Sequence, residues 1–396
     1  MKRFILYTAI TAASLAMFCS SDKPLPSGYD ALQRQDKGEV LVYQAPLVQT
    51  ARYWAPVVAG SAPYLLLGED DGIQCRIALL FSTLTSIDTA TVIQADLILD
   101  QIALFGSGTT FSGNIHPITA TWSESTVKWS DIETNYDASK SYSYSVNAIE
   151  SDSFITAIDP ELVNGWVRGE SNYGLLLDFD NADFAVKFLS SESSSSWAVL
   201  QVIYAPKAGG LDTLSIDVSQ DATLFKESNT TEAYTREDEP GELTLGNGSG
   251  YRFLLRFDLS GLPADATIHR GLLSMTVHGA SSAADSAGVT FSATPLVTDS
   301  LWQDLATAKL DSLYSSPVAT ATDDEGLMQI SATPYVSYMG AIAQRWLLGT
   351  EVNYGLMVQS TQYGYDLEKL NFYGMADESH RPALQIIYSL PPSARF

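Results

Sequence analysis

The chain has 396 residues, 45% of them hydrophobic, and its 46 acidic and 22 basic side chains give a formal charge of −24. That length exceeds what one core usually fills and fits two domains. The charge argues against DNA, RNA and anionic membrane surfaces as partners, because phosphate recognition needs a basic stripe, and it suits solubility outside the cell.

Lys2 and Arg3 open the chain, and an apolar run from Phe4 to Phe18 follows. The run is shorter than the ~20 residues that span a bilayer, so residues 1–18 read as an export signal. Cys19 comes next, ahead of the polar stretch Ser20-Ser21-Asp22-Lys23-Pro24. This order resembles a bacterial lipoprotein signal. The resemblance implies that Cys19 is lipidated, which would tie the protein to a membrane by that anchor alone, at the outer membrane or cell surface. Phe18 departs from the small residue usual before such a Cys. Ordinary cleavage after Ser14-Leu15-Ala16, giving a periplasmic or secreted protein, is the alternative. Residues 19–38, with Pro24 and Pro26, read as a tether. Cys75 then has no disulfide partner, and its strand-like setting predicts a buried structural thiol.

From Val40 onward the chain repeats itself. Arg76-Ile77-Ala78-Leu79-Leu80-Phe81 returns as Arg252-Phe253-Leu254-Leu255-Arg256-Phe257. Leu66-Leu67-Gly68 returns as Thr244-Leu245-Gly246, and Thr121-Trp122 as Leu301-Trp302. The segment Gly165-Trp166-Val167-Arg168-Gly169 with Asn172-Tyr173-Gly174-Leu175 returns as Arg345-Trp346-Leu347-Leu348-Gly349 with Asn353-Tyr354-Gly355-Leu356. Leu200-Gln201-Val202-Ile203-Tyr204 returns as Leu384-Gln385-Ile386-Ile387-Tyr388. Ordered recurrence of this kind marks an internal duplication. It divides the chain into 39–206 and 211–390, joined by Ala205-Pro206-Lys207-Ala208-Gly209-Gly210, where Pro and Gly stop a strand.

The period within each copy is two. Ile93, Ala95, Leu97 and Leu99 alternate with Gln94, Asp96, Ile98 and Asp100, and Leu273, Met275 and Val277 alternate with Ser274, Thr276 and His278. Such alternation predicts half-buried strands. The fold class expected is all-β, two tandem antiparallel β-sandwiches of jelly-roll type, each with one short helix. Asp159-Pro160 supplies an N-cap and a first-turn proline for that helix, Thr333-Pro334 starts its counterpart, which runs longer, through Tyr338 and Ile342 to Trp346, and Gly169 and Gly349 end them.

Three segments together resemble the DNRLRE-type domain, also classed as carbohydrate-binding module family 96. They are Arg252 to Ile268 with Phe257-Asp258-Leu259-Ser260 at its centre, Trp122-Ser123-Glu124-Ser125-Thr126-Val127-Lys128-Trp129, and the Trp-x-x-Gly with Asn-Tyr-Gly-Leu pair. The resemblance runs from about Val40 to Tyr388. It implies a β-sandwich and, in some members, binding to polysaccharide of an alginate-like, anionic kind. Copy one lacks the Phe-Asp-Leu-Ser ending and copy two lacks the second Trp, so these motifs read as structural; the chain's acidic charge tells against an anionic ligand, and no binding residue is transferred. The function expected is a non-catalytic exported lipoprotein whose partner is a polysaccharide or another cell-envelope component. The alternative is a structural or adhesive surface protein.

The chain contains no His-Glu-x-x-His, Gly-x-Ser-x-Gly or phosphate-cradling loop. Its four His are scattered, and no cofactor is expected. Glycan binding needs aromatic side chains with polar neighbours, and those present in one copy only are Tyr53, Trp54, Tyr363 and Tyr365. Trp122, Trp166, Trp302 and Trp346 recur and are expected in the core. Asp70 and Asp71 before Gly72, and Asp323 and Asp324 before Glu325-Gly326, are weak candidates for Ca²⁺, since Asp and Gly favour turns in any case.

Overall fold

The computed structural model describes residues 39–391 apart from 82–83, 85–86, 88, 107, 148–152, 181–182, 195–197, 228–234, 283–287, 300–317, 323, 325 and 331–332. Cys19, the signal, the tether, Trp302 and Asp323 therefore lie outside the described residues. The fold is all-β. Antiparallel strands are joined by turns, with α-helices at Trp129–Ile132 (α1), Pro160–Val167 (α2) and Thr333–Leu347 (α3).

The first sandwich is built from β3 (Tyr64–Asp70), β4 (Ile73–Phe81), β5 (Thr91–Gly106), β6 (Thr110–Pro117), β7 (Tyr142–Asn147), β8 (Ser153–Ile158), β9 (Leu175–Leu177), β10 (Phe184–Leu189), β11 (Val199–Ala205) and β12 (Asp212–Glu227). Both β5 and β12 cross from one sheet to the other. The first half of β5 pairs with β11 and the second with β10. The first half of β12 pairs with β11 and the second with β4. The ladder β12–β11–β5–β10–β3–β4 thus returns to β12, closing a flattened barrel. Phe81, Phe111, Phe154, Phe184 and Phe188 fill its interior, with rings in edge-to-face contact that adds to the area they bury.

The second sandwich uses β14 (Glu242–Gly246), β15 (Tyr251–Phe257), β16 (Thr267–Val277), β17 (Val289–Pro295), β18 (Val318–Ala321), β19 (Gly326–Ile330), β20 (Leu356–Ser360), β21 (Lys369–Tyr373) and β22 (Ala383–Ser389), with β13 (Thr235–Asp238) at one edge. Phe253, Phe257, Phe291 and Phe372 take the corresponding core places.

The boundaries read from sequence need correcting at the start of each copy. Strand β1 (Val40–Ala45) pairs with β22, and β2 (Leu47–Trp54) pairs with β15 and β13, all in the second sandwich. Strand β12, which follows the linker, completes the first sandwich. Tyr53 opposite Arg252 matches Leu224 opposite Arg76, so 40–54 and 212–227 are equivalent segments in exchanged positions. Each copy gives its opening strand to the other. Alternation of side chains fixes which face of a strand is buried and says nothing about which sheet edge it fills.

The repeated Trp-x-x-Gly with Asn-Tyr-Gly is a helix-to-strand joint. Asp159 caps α2 by accepting from the Glu161 backbone N–H at 2.9 Å. Gly169 (φ +92°) and Gly349 (φ +68°) leave the helices in the left-handed region. Asn172 then donates to the Phe81 carbonyl at 3.1 Å and accepts from the Gly174 N–H. Asn353 does the same with Phe257, at 2.7 Å, and Gly355. A Cβ on Gly174 would stand 2.1 Å from the Leu79 carbonyl oxygen. Helix α2 is tied to β5 by the buried Asn164, which exchanges two hydrogen bonds with the Val92 backbone. In α3, Gln344 takes that place, accepting from the Ile268 N–H at 2.7 Å. Helix α3 is fifteen residues long and reaches Leu347, the longer counterpart expected in the second copy.

One expected inward side chain points out. Ile93 is 52% exposed while Val92 is buried, because the ladder skips Ile93 between Gln94↔Ile203 and Val92↔Tyr204. The second copy skips His269 at the equivalent point. An extra residue of this kind is a β-bulge, which reverses side-chain parity beyond it.

The outer face of the first sandwich also packs against the second sandwich. Leu66, Ile73, Cys75, Ala185 and Phe225 meet Val57, Ala59 and Ala62, from the segment between β2 and β3, and Leu367, from the loop between β20 and β21. Lys187 bridges to Asp366 at 2.7 Å with both side chains largely buried, and Lys369 reaches Asp71 and Glu227 at 3.5 and 3.4 Å. Burial pushes the Cys75 thiol well up, away from the reactive thiolate, as befits a structural cysteine.

Candidate ligand-binding groove

The aromatic residues chosen from sequence do not form a platform. Tyr53 and Trp54 are 2% and 4% exposed. Tyr53 packs with Ala51, Leu254, Leu296 and Met357 on the outer face of its sheet. Tyr363 and Tyr365 are half-buried against the layer between the sandwiches. The Tyr363 hydroxyl accepts from Arg252 Nη2 at 3.0 Å, and Tyr365 stands edge-on to Tyr64. Tyr53 is packed within the second sandwich, Tyr363 and Tyr365 pack between the sandwiches, Trp54 is buried, and the expectation that these four bind ligand is corrected.

The acidic turns fare the same way. Asp70 and Asp71 sit in the β3–β4 hairpin, where Asp71 takes the left-handed φ of +47° and faces Lys369. Burial, then Asp71 and Asp183 nearby, raise the Asp70 carboxyl above the usual range. Asp324 is exposed and accepts from the Thr322 hydroxyl. The first turn does not gather three carboxylates within ligand distance, and Asp323 and Glu325 of the second lie outside the described residues. Among the described residues that arrangement occurs at Glu124, Glu192 and Asp221, whose oxygens lie within 4.8 Å of one another. Glu124 Oε1 accepts from the Asp221 N–H, and Asp221 Oδ2 from the Ser191 N–H, both at 2.8 Å. Asp221 is 1% exposed. Burial, then the charges of Glu192 and Glu124, push its carboxyl up to about 7.

A groove does form on the first sandwich. After β6 the chain folds back over the outer face of its sheet. Ile118 bonds to the Gly174 carbonyl, and Thr119 to the Asn135 carbonyl. Val127, Trp129 and Ile132 bury themselves on Ala78, Leu176, Ala222 and Leu224. Arg76 holds Trp129 from below, its guanidinium 4.2 Å from the ring centroid while its Nε meets Asp178 at 2.9 Å. The core packing of this loop leaves Trp122 at its rim. The indole N–H donates to the Tyr173 carbonyl at 2.8 Å, and the side chain is half-buried.

The cavity beside it, about 660 Å³, is lined by Thr121, Trp122, Ser123, Thr126, Val127, Ser130, Asp131 and Asn135. Short hydrogen bonds fix this lining. Thr126 and Val127 donate backbone N–H groups to the Ser123 carbonyl, Asp131 accepts from the Lys128 N–H at 3.0 Å, and Asn135 donates to the Asp131 carbonyl at 2.7 Å. One indole among hydroxyls, an amide and a carboxylate is a chemistry that stacks on one face of a ring and hydrogen-bonds its rim. Recurrence of Trp122 as Trp302 had pointed to a core residue. The signal that marks it otherwise is the density of Ser, Thr, Asp and Asn around it, which an interior segment would not carry.

A second cavity, about 430 Å³, lies beside α2 between Ser139, Tyr142, Asp159 and Arg168. There Arg168 already faces Glu161 and Glu170 at 3.7 and 3.6 Å. The histidines are held by their own neighbours: His116 by the Lys140 carbonyl, His269 by Ser389, His278 by Glu242 and His380 by Asp377.

No protein-family model matches the chain, and no curated protein matches it.

Proposed function

We propose that the chain is a non-catalytic, exported glycan-binding protein of the cell envelope, held there by lipid at Cys19. The observation that carries this reading is the Trp122 groove, where an aromatic ring borders a pocket of hydroxyl, amide and carboxylate groups on a rigid sheet. The resemblance to DNRLRE-type domains supports it. A second reading, a structural or adhesive surface protein, is favoured by the strand exchange and the buried Lys187–Asp366 pair, which make the two sandwiches one mechanical unit.

Affinity electrophoresis of the mature chain through gels carrying neutral or acidic polysaccharides tests the first reading. At least one polymer is expected to retard the wild type, and Trp122→Ala or Ser130→Leu is expected to release it. Ser130 is exposed, so its variant blocks the groove without touching the core. If no polymer retards the wild type, glycan binding is wrong and the structural reading stands. Incorporation of a palmitate analogue in a bacterial host, lost in Cys19→Ala, tests the anchor.

A further inference from the structure

We infer that the Trp122 groove takes a neutral, hydroxyl-rich polysaccharide and rejects anionic ones; this rests on the groove being a glycan site. Its lining holds one ionisable side chain, the Asp131 carboxylate. A uronate or sulfated sugar seated on Trp122 would bring a second negative charge against it with no cation in the lining to offset the repulsion.

Two cations that approach this loop from the sheet beneath are occupied elsewhere. Arg76 faces Asp178 and the underside of Trp129. Lys226 faces Glu133 at 2.7 Å, with its ammonium over Trp129. Lys128 lies on the loop outside the lining, and the same loop adds Glu124 and Glu133. The chain's overall charge of −24 acts in the same direction at longer range.

What remains is suited to uncharged sugars. Asp131 and Asn135 offer an acceptor-only group and a donor–acceptor group four residues apart on the same wall, a pairing that fits vicinal hydroxyls. Ser123, Thr126 and Ser130 offer hydroxyls on the same wall. The indole of Trp122 stacks on an apolar sugar face irrespective of charge. Discrimination between neutral and acidic polymers therefore falls to Asp131.

The experiment is titration calorimetry of the full mature chain. Soluble mixed-linkage glucan and mannan are the neutral probes, and polygalacturonate and alginate the anionic probes, each at low and at physiological salt. A neutral probe is expected to bind with an affinity insensitive to salt. Asp131→Asn is expected to weaken it about tenfold, the effect of losing a hydrogen bond to a charged group, and Ser130→Leu to abolish it. Binding of an anionic probe that Ser130→Leu abolishes would overturn the neutral class and leave the glycan site standing. Neutral binding indifferent to both variants would overturn the assignment to this groove. Binding by none of the probes would overturn the glycan reading beneath it.

Discussion

Tyr53 stands directly opposite Arg252 in an antiparallel ladder, although the two residues lie in different sequence repeats. The exchange this reveals has a consequence for folding. The segment 39–206 lacks β12 and leaves an edge of β4 unpaired, whereas 55–227 contains every strand of the first sandwich. Expressed alone, 55–227 is expected to be monomeric with a cooperative thermal transition, and 39–206 to aggregate or remain unfolded. Circular dichroism and light scattering on the two fragments read this out. A stable, monomeric 39–206 would show that the first copy can close on its own opening strand.

Asn172 and Asn353 each serve a strand carbonyl and a glycine N–H together. Asn172→Ala should cost about 1–3 kcal/mol, the penalty of leaving buried backbone groups unserved. Gly174→Ala should cost more than the ~1–2 kcal/mol of a left-handed alanine, since its φ is +95° and its Cβ would press on the Leu79 carbonyl oxygen. Denaturant melts check both, and equal losses at Asn353 and Gly355 would establish that the joint works alike in each copy.

Asp221 makes stability depend on pH. Its carboxyl titrates near 7 in the folded chain, because burial and then Glu192 and Glu124 oppose its charge, against about 3.9 when unfolded. The folded state holds a proton that the unfolded state has released. The contribution is therefore complete below pH ~4 and is lost as pH rises through 7. Asp221→Asn keeps an acceptor for the Ser191 N–H and removes the titration. Its melting temperature relative to wild type is expected to be higher at pH 8 than at pH 5. A difference that does not change with pH would place the proton elsewhere.

Lys187 and Asp366 join the sandwiches with both side chains largely buried, and the ammonium is also 5.2 Å from the Tyr64 ring centroid. Removing one partner strands the other. Lys187→Met and Asp366→Asn should each destabilise by about 3–5 kcal/mol, and the double variant by clearly less than their sum. Additivity in the thermodynamic cycle would mean that the pair contributes nothing to docking.

Much of this architecture is legible in the chain. The alternation at Ala95, Leu97 and Leu99 gives strands, and two glycines at fixed distance from two tryptophans give the joint. What escapes is whatever depends on partners. Nothing in Val40 to Trp54 says that its edge belongs to the later copy. The bulge at Ile93 follows from the neighbouring strand, and so overturns a parity that reads correctly from Ala95 onward. Tyr53 looks like an exposed aromatic because the residues that bury it, Leu254, Leu296 and Met357, are distant in sequence. Trp122 shows the reverse error: a residue shared by both copies serves the fold with its indole N–H and still borders open space.

The most direct measurement is hydrogen–deuterium exchange of the mature chain with and without a bound polysaccharide. Slowed exchange is expected in peptides covering residues 119–137, where the Ser123 and Asp131 hydrogen bonds hold the groove. Protection confined to the second sandwich, or none in the presence of a polymer that binds, would contradict the groove as the ligand site.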